Sequence, residues 1–191
     1  MDFNKIYNRA KNIIIKPVEE WQVIKGETDD KKEVILNYAL PLLCLIAIAS
    51  LVGSAVTKLH LGVSILSVLV SAIIVFVVQL LVMALSAYII NELASGFGSK
   101  KDINAAFKLV IYSSTASYLA SILSGLIPML SVLFGIFGLY SIYLFWTGLT
   151  PMMETPENKK VGYIIVSFLI IVAITLILGA FFGAIGIASM L

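Results

Sequence analysis

The stretch LGVSILSVLVSAIIVFVVQLLVMALSAYIINEL, Leu61 to Leu93, carries no charged residue before Glu92 and no turn pair interrupts it. A segment of about 20 mostly apolar residues is enough to cross the hydrocarbon core of a bilayer as a helix. This run exceeds that length, so it must tilt or extend past the membrane. The rest of the chain follows the same rule. Sixty per cent of its residues are hydrophobic, 13% are charged, and its mean hydropathy is +1.05. A soluble domain of this size could not hide so much apolar surface.

Working outward from that run, four more apolar stretches read as membrane helices, with approximate limits 34–56, 103–123, 127–150 and 161–190 beside 61–93. The expected fold is an all-α integral membrane protein: a front segment, 1–33, followed by a five-helix transmembrane domain, 34–191. The third helix is the least apolar, with Lys108 near its start and Ser113, Ser114, Thr115, Ser117 and Ser121 along it. No secretory signal is expected, because the first long apolar run begins only near Val34.

Lysine and arginine set the orientation of such a chain. Twelve of the 13 basic residues fall on one side of the five-helix arrangement, seven of them in the front segment, and Lys58 stands alone on the other. This predicts a cytoplasmic N-terminus and an external C-terminus. Trp21, Tyr88, Trp146 and Tyr163 would then lie near the cytoplasmic interface, where amphipathic rings prefer to sit.

The front segment reads as two short helices. Phe3, Ile6, Tyr7, Ala10, Ile13 and Ile14 recur at helical spacing, with Asn4, Lys5, Asn8, Arg9 and Lys11 on the other face. That pattern suits a basic amphipathic helix lying on anionic lipid. Pro17 ends it and opens a second helix, with Glu19 and Glu20 in its first turn and Val18, Trp21 and Ile24 on its apolar face. Phe3, Ile6 and Trp21 are the expected interfacial anchors. For Trp21 a second reading stands beside this one, in which the indole packs on the ends of the membrane helices.

Catalytic chemistry finds little support. His60 is the only histidine and Cys44 the only cysteine, so neither a metal site nor a disulfide framework is expected. No acid lies deep in a helix, and no base stands near a buried serine. Ser95–Lys100, SGFGSK, lacks phosphate-loop spacing and reads as a flexible turn before Asp102, a helix cap. Asn91 and Glu92 are expected to pair with Lys100, Lys101 or Lys108. The net charge of +2 gives no reason to expect nucleic acid. No enzyme activity and no cofactor are expected.

Polar groups inside a membrane are costly and tend to be functional. Gln79 sits near the middle of the second helix, and Ser113, Ser117 and Ser121 recur along one face of the third. Together they form a candidate polar groove. The competing reading is helix packing, an ordinary use of serine in membranes. Gly179 and Gly183 form a GxxxG contact face that would dock the fifth helix or join two copies. Pro41 should kink the first helix.

The segments PVEEW (Pro17–Trp21), YALPLL (Tyr38–Leu43) and KLVIYSSTASYLASILSGLIPMLSVLFGIFGLYSIYLFWTGL (Lys108–Leu149) resemble the Yip family in its prokaryotic branch, a family named for members that bind Ypt/Rab GTPases. Matching positions are Pro17, Trp21, Tyr38, Pro41, Tyr112, Ser113, Pro128, Tyr140, Tyr143 and Gly148. The resemblance implies five membrane helices, a cytosolic N-terminus and, for the eukaryotic members, a role in membrane organisation or trafficking. Ala116 and Ser117 stand where relatives often carry a proline, and the long front segment of the trafficking members is not found. The second departure argues against GTPase binding and for a bacterial cytoplasmic membrane. The expected function is a non-enzymatic protein that organises membrane lipids or protein partners, other copies of itself included. The alternative is a small-solute or lipid permease acting as an oligomer.

Overall fold

The computed structural model describes residues 2–58 and 63–188, which form helices and their connections with no strand. His60 and its loop lie outside the described residues. Two short helices open the chain, α1 (Phe3–Ile15) and α2 (Pro17–Gly26). Four later helices are long and apolar enough to cross a membrane: α3, Lys31–Thr57; α4, which with a 3-10 turn covers Ile65–Phe97; a span over Pro128–Met153; and α9, Glu157–Ala188. A broken pair, α5 (Ile103–Ser113) and α6 (Thr115–Leu126), makes a fifth span if counted together, bent by 42°. The Pro128–Met153 span is itself interrupted into α7 (Ser131–Gly138) and α8 (Tyr140–Met153).

Two of these irregularities have an identifiable cause. Pro41 has no N–H to give to Asn37 and its ring crowds that carbonyl. The chain responds with a π-helical stretch, Ile35–Ala39, in which the Leu40 N–H reaches back to the Ile35 carbonyl. The α5–α6 break occurs without proline or glycine. Here the Ser113 and Thr115 hydroxyls donate back to the carbonyls of Val110 (3.2 Å) and Tyr112 (2.7 Å). Back-bonding of this kind bends helices. The Tyr38 hydroxyl, carried by the π stretch, shares a 2.8 Å hydrogen bond with Thr115 and ties α3 to the bend. The N–H of Ser117, exposed by the restart of the helix, finds the Ser141 hydroxyl of α8 at 3.0 Å.

The core gathers around α5, whose residues from Ala105 to Ser113 are all buried. It is flanked by α4 and α8, while α3 packs on α4 and α6, and α9 lies on α4. At the α3–α6 crossing the backbones almost touch. A Cβ added at Gly53 would stand 1.8 Å from the Gly125 carbonyl oxygen, and one added at Gly125 would stand 2.8 Å from the Ser50 nitrogen. Only glycine fits at either position.

The front helices fold onto the bundle. Ile6, Ala10 and Ile13 of α1 are buried, and α1 packs across α5 and α6. Pro17, Trp21 and Ile24 of α2 are buried, and α2 packs across α8. Val18, expected on the same apolar face, is exposed instead. The turn expected to be flexible is held on several sides. Phe97 stacks on Tyr163 with ring centroids 4.9 Å apart, the Ser99 hydroxyl donates to Thr155 at 2.9 Å, and the Lys100 N–H donates to the Met153 carbonyl at 2.8 Å. Asp102 then caps α5 through the N–H groups of Asn104 and Ala105.

Candidate functional site

The interruptions of α5–α6 and α7–α8 leave space between helices. A cavity of about 610 Å³ lies there, within the range of small-molecule pockets. Gln79 enters it from α4, Ser113 from the end of α5, Ser117 and Ser121 from α6. The four residues of the candidate groove thus line one space. Ser114 at the α5–α6 junction and Ser124 of α6 also line it, and α3, α8 and α9 add Ser50, Ser141 and Ser167. The apolar walls include Ile46, Val75, Ile142, Phe145, Phe168 and Ile171. No Asp, Glu, Lys, Arg or His among the described residues lines the cavity. No group of three His, Cys, Asp or Glu residues that could hold a metal occurs among the described residues.

Several hydroxyls are already engaged. The Ser117 hydroxyl donates to the Gly138 carbonyl at 3.1 Å and meets Ser141 at 2.8 Å, closing α6 onto the α7–α8 break. Ser167 is different. It is 1% exposed, and its hydroxyl has no partner among the described residues. The Gln79 amide, half-buried in the membrane, makes no hydrogen bond among them either. Ser121 and Ser124 follow from the spacing on α6. Ser167 is a single hydroxyl in an otherwise apolar run, and nothing local marks it.

The proposed anchors do not form one lipid-facing patch. Phe3 is 64% exposed, but Ile6 is buried and Trp21 is 0% exposed. The placement of Trp21 at the lipid surface is therefore corrected. Its indole N–H donates to the Leu144 carbonyl at 3.1 Å and to the Thr147 hydroxyl at 3.2 Å. It packs edge-on to Tyr112, 6.4 Å between centroids, above Gly148, where an added Cβ would come within 2.6 Å of the ring. A bare backbone at position 148 is what admits the indole.

Around Trp21 a polar clasp holds the front helices. Arg9, the single arginine, bonds both Glu20 and Glu27 and lies over the Tyr112 ring at 5.4 Å. Burial disfavours the Arg9 charge, but Tyr112, Glu27 and Glu20 outweigh it and raise its pKa further. Lys108 donates to the Glu27 carbonyl at 2.8 Å, and the Tyr140 hydroxyl to the Ile14 carbonyl at 3.0 Å. Glu92 pairs with Lys101, while Lys100 reaches Glu154 at 3.2 Å.

Gly179 and Gly183 do not dock α9 within the described chain. Both are exposed, and an added Cβ at either meets nothing within 4 Å. Among the described residues the close glycine–glycine crossing is made by Gly53 and Gly125.

The model of the Yip1 domain matches residues 11–186. The chain belongs to the Yip family. The match takes in the end of α1, α2 and the five membrane stretches, so the Yip-family region includes the cavity and the clasp apart from Arg9. No curated protein and no solved structure matches this Yip-family chain.

Proposed function

We propose that this Yip-family protein is a non-enzymatic membrane organiser that works by holding lipid between its helices. The carrying observation is the uncharged, hydroxyl-lined cavity to which α3 through α9 all contribute. A cavity with apolar walls and several polar groups suits an amphiphile. Among the described residues its lining offers no general base to activate a serine. The front helices are clasped to the bundle, with Phe3, Tyr7 and Ile15 left exposed for lipid contact. The lysine distribution supports a cytoplasmic N-terminus, and we read the membrane as a bacterial cytoplasmic one. The exposed Gly179 and Gly183 support a contact with a second copy.

Gentle extraction from the native membrane followed by native mass spectrometry tests this reading. A lipid retained at fixed stoichiometry is the expected result. A protein partner at constant ratio with no retained lipid would replace lipid holding by partner scaffolding. The same cavity also favours a permease for lipids or small solutes, acting as an oligomer. Flux of labelled lipid or solute across reconstituted vesicles, lost in Gln79→Leu, would move the assignment there.

A further inference from the structure

We infer that the cavity takes the polar end of a neutral lipid bearing a free hydroxyl, of the diacylglycerol type, and discriminates against phosphate-bearing lipids. This deepens the lipid-holding reading above and rests on it.

Three observations carry the choice. First, no ionisable side chain among the described residues lines the cavity, so none of their arginines or lysines can answer a phosphate there. An ion taken into a low-dielectric site without a partner costs several kcal/mol. Second, unused hydrogen-bonding capacity lies in the cavity wall on two helices. The Ser167 hydroxyl on α9 is buried without a partner, and the Gln79 amide on α4 is also unpaired among the described residues. A serine hydroxyl both donates and accepts, and an amide offers a carbonyl and an NH2 group. A ligand hydroxyl and ester carbonyl can complement all of these without any change of charge. Third, the cavity reaches the outer surface of the bundle. Its wall residues Phe168 and Leu139 are both more than one-third exposed. The rim is apolar, so acyl chains can stay in the bilayer while the glycerol end enters sideways.

Ser167 and Gly135 separate a ligand site from a structural one. Ser167→Ala removes a hydroxyl that bonds nothing among the described residues, so folding should be unaffected. Gly135 lines the cavity, and a Cβ there meets nothing within 4 Å, so Gly135→Phe can fill the space without a clash at its first atom.

The test uses the full chain in vesicles of phosphatidylethanolamine and phosphatidylglycerol. Two photoreactive probes with identical acyl chains are compared, one a diacylglycerol and one a phosphatidate. The expected result is crosslinking of the diacylglycerol probe to peptides of α4, α6 or α9, displaced by unlabelled diacylglycerol. Ser167→Ala should weaken its labelling about three- to tenfold at unchanged thermal stability, the effect of one membrane hydrogen bond. Gly135→Phe should abolish it. Equal or stronger cavity labelling by the phosphatidate probe would overturn the neutral-lipid assignment and leave lipid holding intact. No cavity labelling by either probe would overturn both. Labelling insensitive to both substitutions would place the lipid elsewhere and sink the assignment.

Discussion

Trp21 and Gly148 form a pair whose coupling can be worked out in advance. Gly148→Ala places a Cβ 2.6 Å from two indole carbons and 2.7 Å from a methyl of Leu109. Overpacking of a tight core costs about 1–3 kcal/mol, and alanine's better helix propensity offsets up to about 1 kcal/mol of it. Trp21→Phe removes the outer ring and the N–H that reaches Leu144 and Thr147. Thr147 still donates to the Leu144 carbonyl at 2.9 Å, so neither acceptor is stranded. The loss is then one net hydrogen bond, about 1 kcal/mol, and a partial cavity worth about 1–3 kcal/mol, since full truncation of an aromatic costs ~3–5. In the double variant the new methyl enters space the indole vacated. The combined loss should fall short of the sum by about 1–2 kcal/mol, within the range for residues in contact. Leu109 keeps the rescue from being complete. Thermal unfolding in detergent, followed by helical circular dichroism, gives the global term. Protease cleavage between α1 and α2 gives the local opening of the front segment. Additivity within about 0.5 kcal/mol would refute direct packing of Trp21 on Gly148.

Other expectations follow from single contacts. Gly53→Ala should cost about 3 kcal/mol or more, because the contact with the Gly125 carbonyl must open from 1.8 Å to at least 3.0 Å; Gly179→Ala, with open space around it, should leave the melting temperature of the monomer unchanged. Arg9→Gln leaves Glu20 and Glu27 facing each other without their cation and should cost about 2–3 kcal/mol, read as faster proteolysis of the front segment and partly restored by Glu20→Gln. That effect should change little between low and high salt, since the Arg9 and Glu20 side chains are only 11% and 10% exposed. Tyr38→Phe removes the hydroxyl bridge to Thr115 while Thr115 keeps its bond to Tyr112, so a loss of about 1 kcal/mol is expected by thermal unfolding.

The local code of this chain is strong where a single segment carries the whole signal. Uninterrupted apolar runs announce membrane helices because a bilayer imposes a length on each of them separately. Pro17 divides the front segment, and Asp102 announces a helix start, because proline geometry and capping act within a few residues. The spacing of Ser113, Ser117 and Ser121 likewise puts three hydroxyls on one face before any neighbour is known.

What a segment meets is a different matter, set by residues far along the chain. The indole of Trp21 has the same amphipathic character in lipid or in protein; a flat site beside Gly148, 127 residues on, decides that it is buried. Gly179 and Gly183 carry the familiar motif yet face open space, while Gly53 and Gly125, isolated in their own helices, make the close crossing. The bend at Ser114 has no proline to signal it, because its cause combines back-bonded hydroxyls with Tyr38 from another helix. Ser167 and Gln79 become a shared lining only when α9 and α4 pack together around the broken α5–α6 pair. Hydropathy and periodicity describe a face, whereas shape complementarity between distant segments chooses its neighbour, and in this protein that choice creates the cavity.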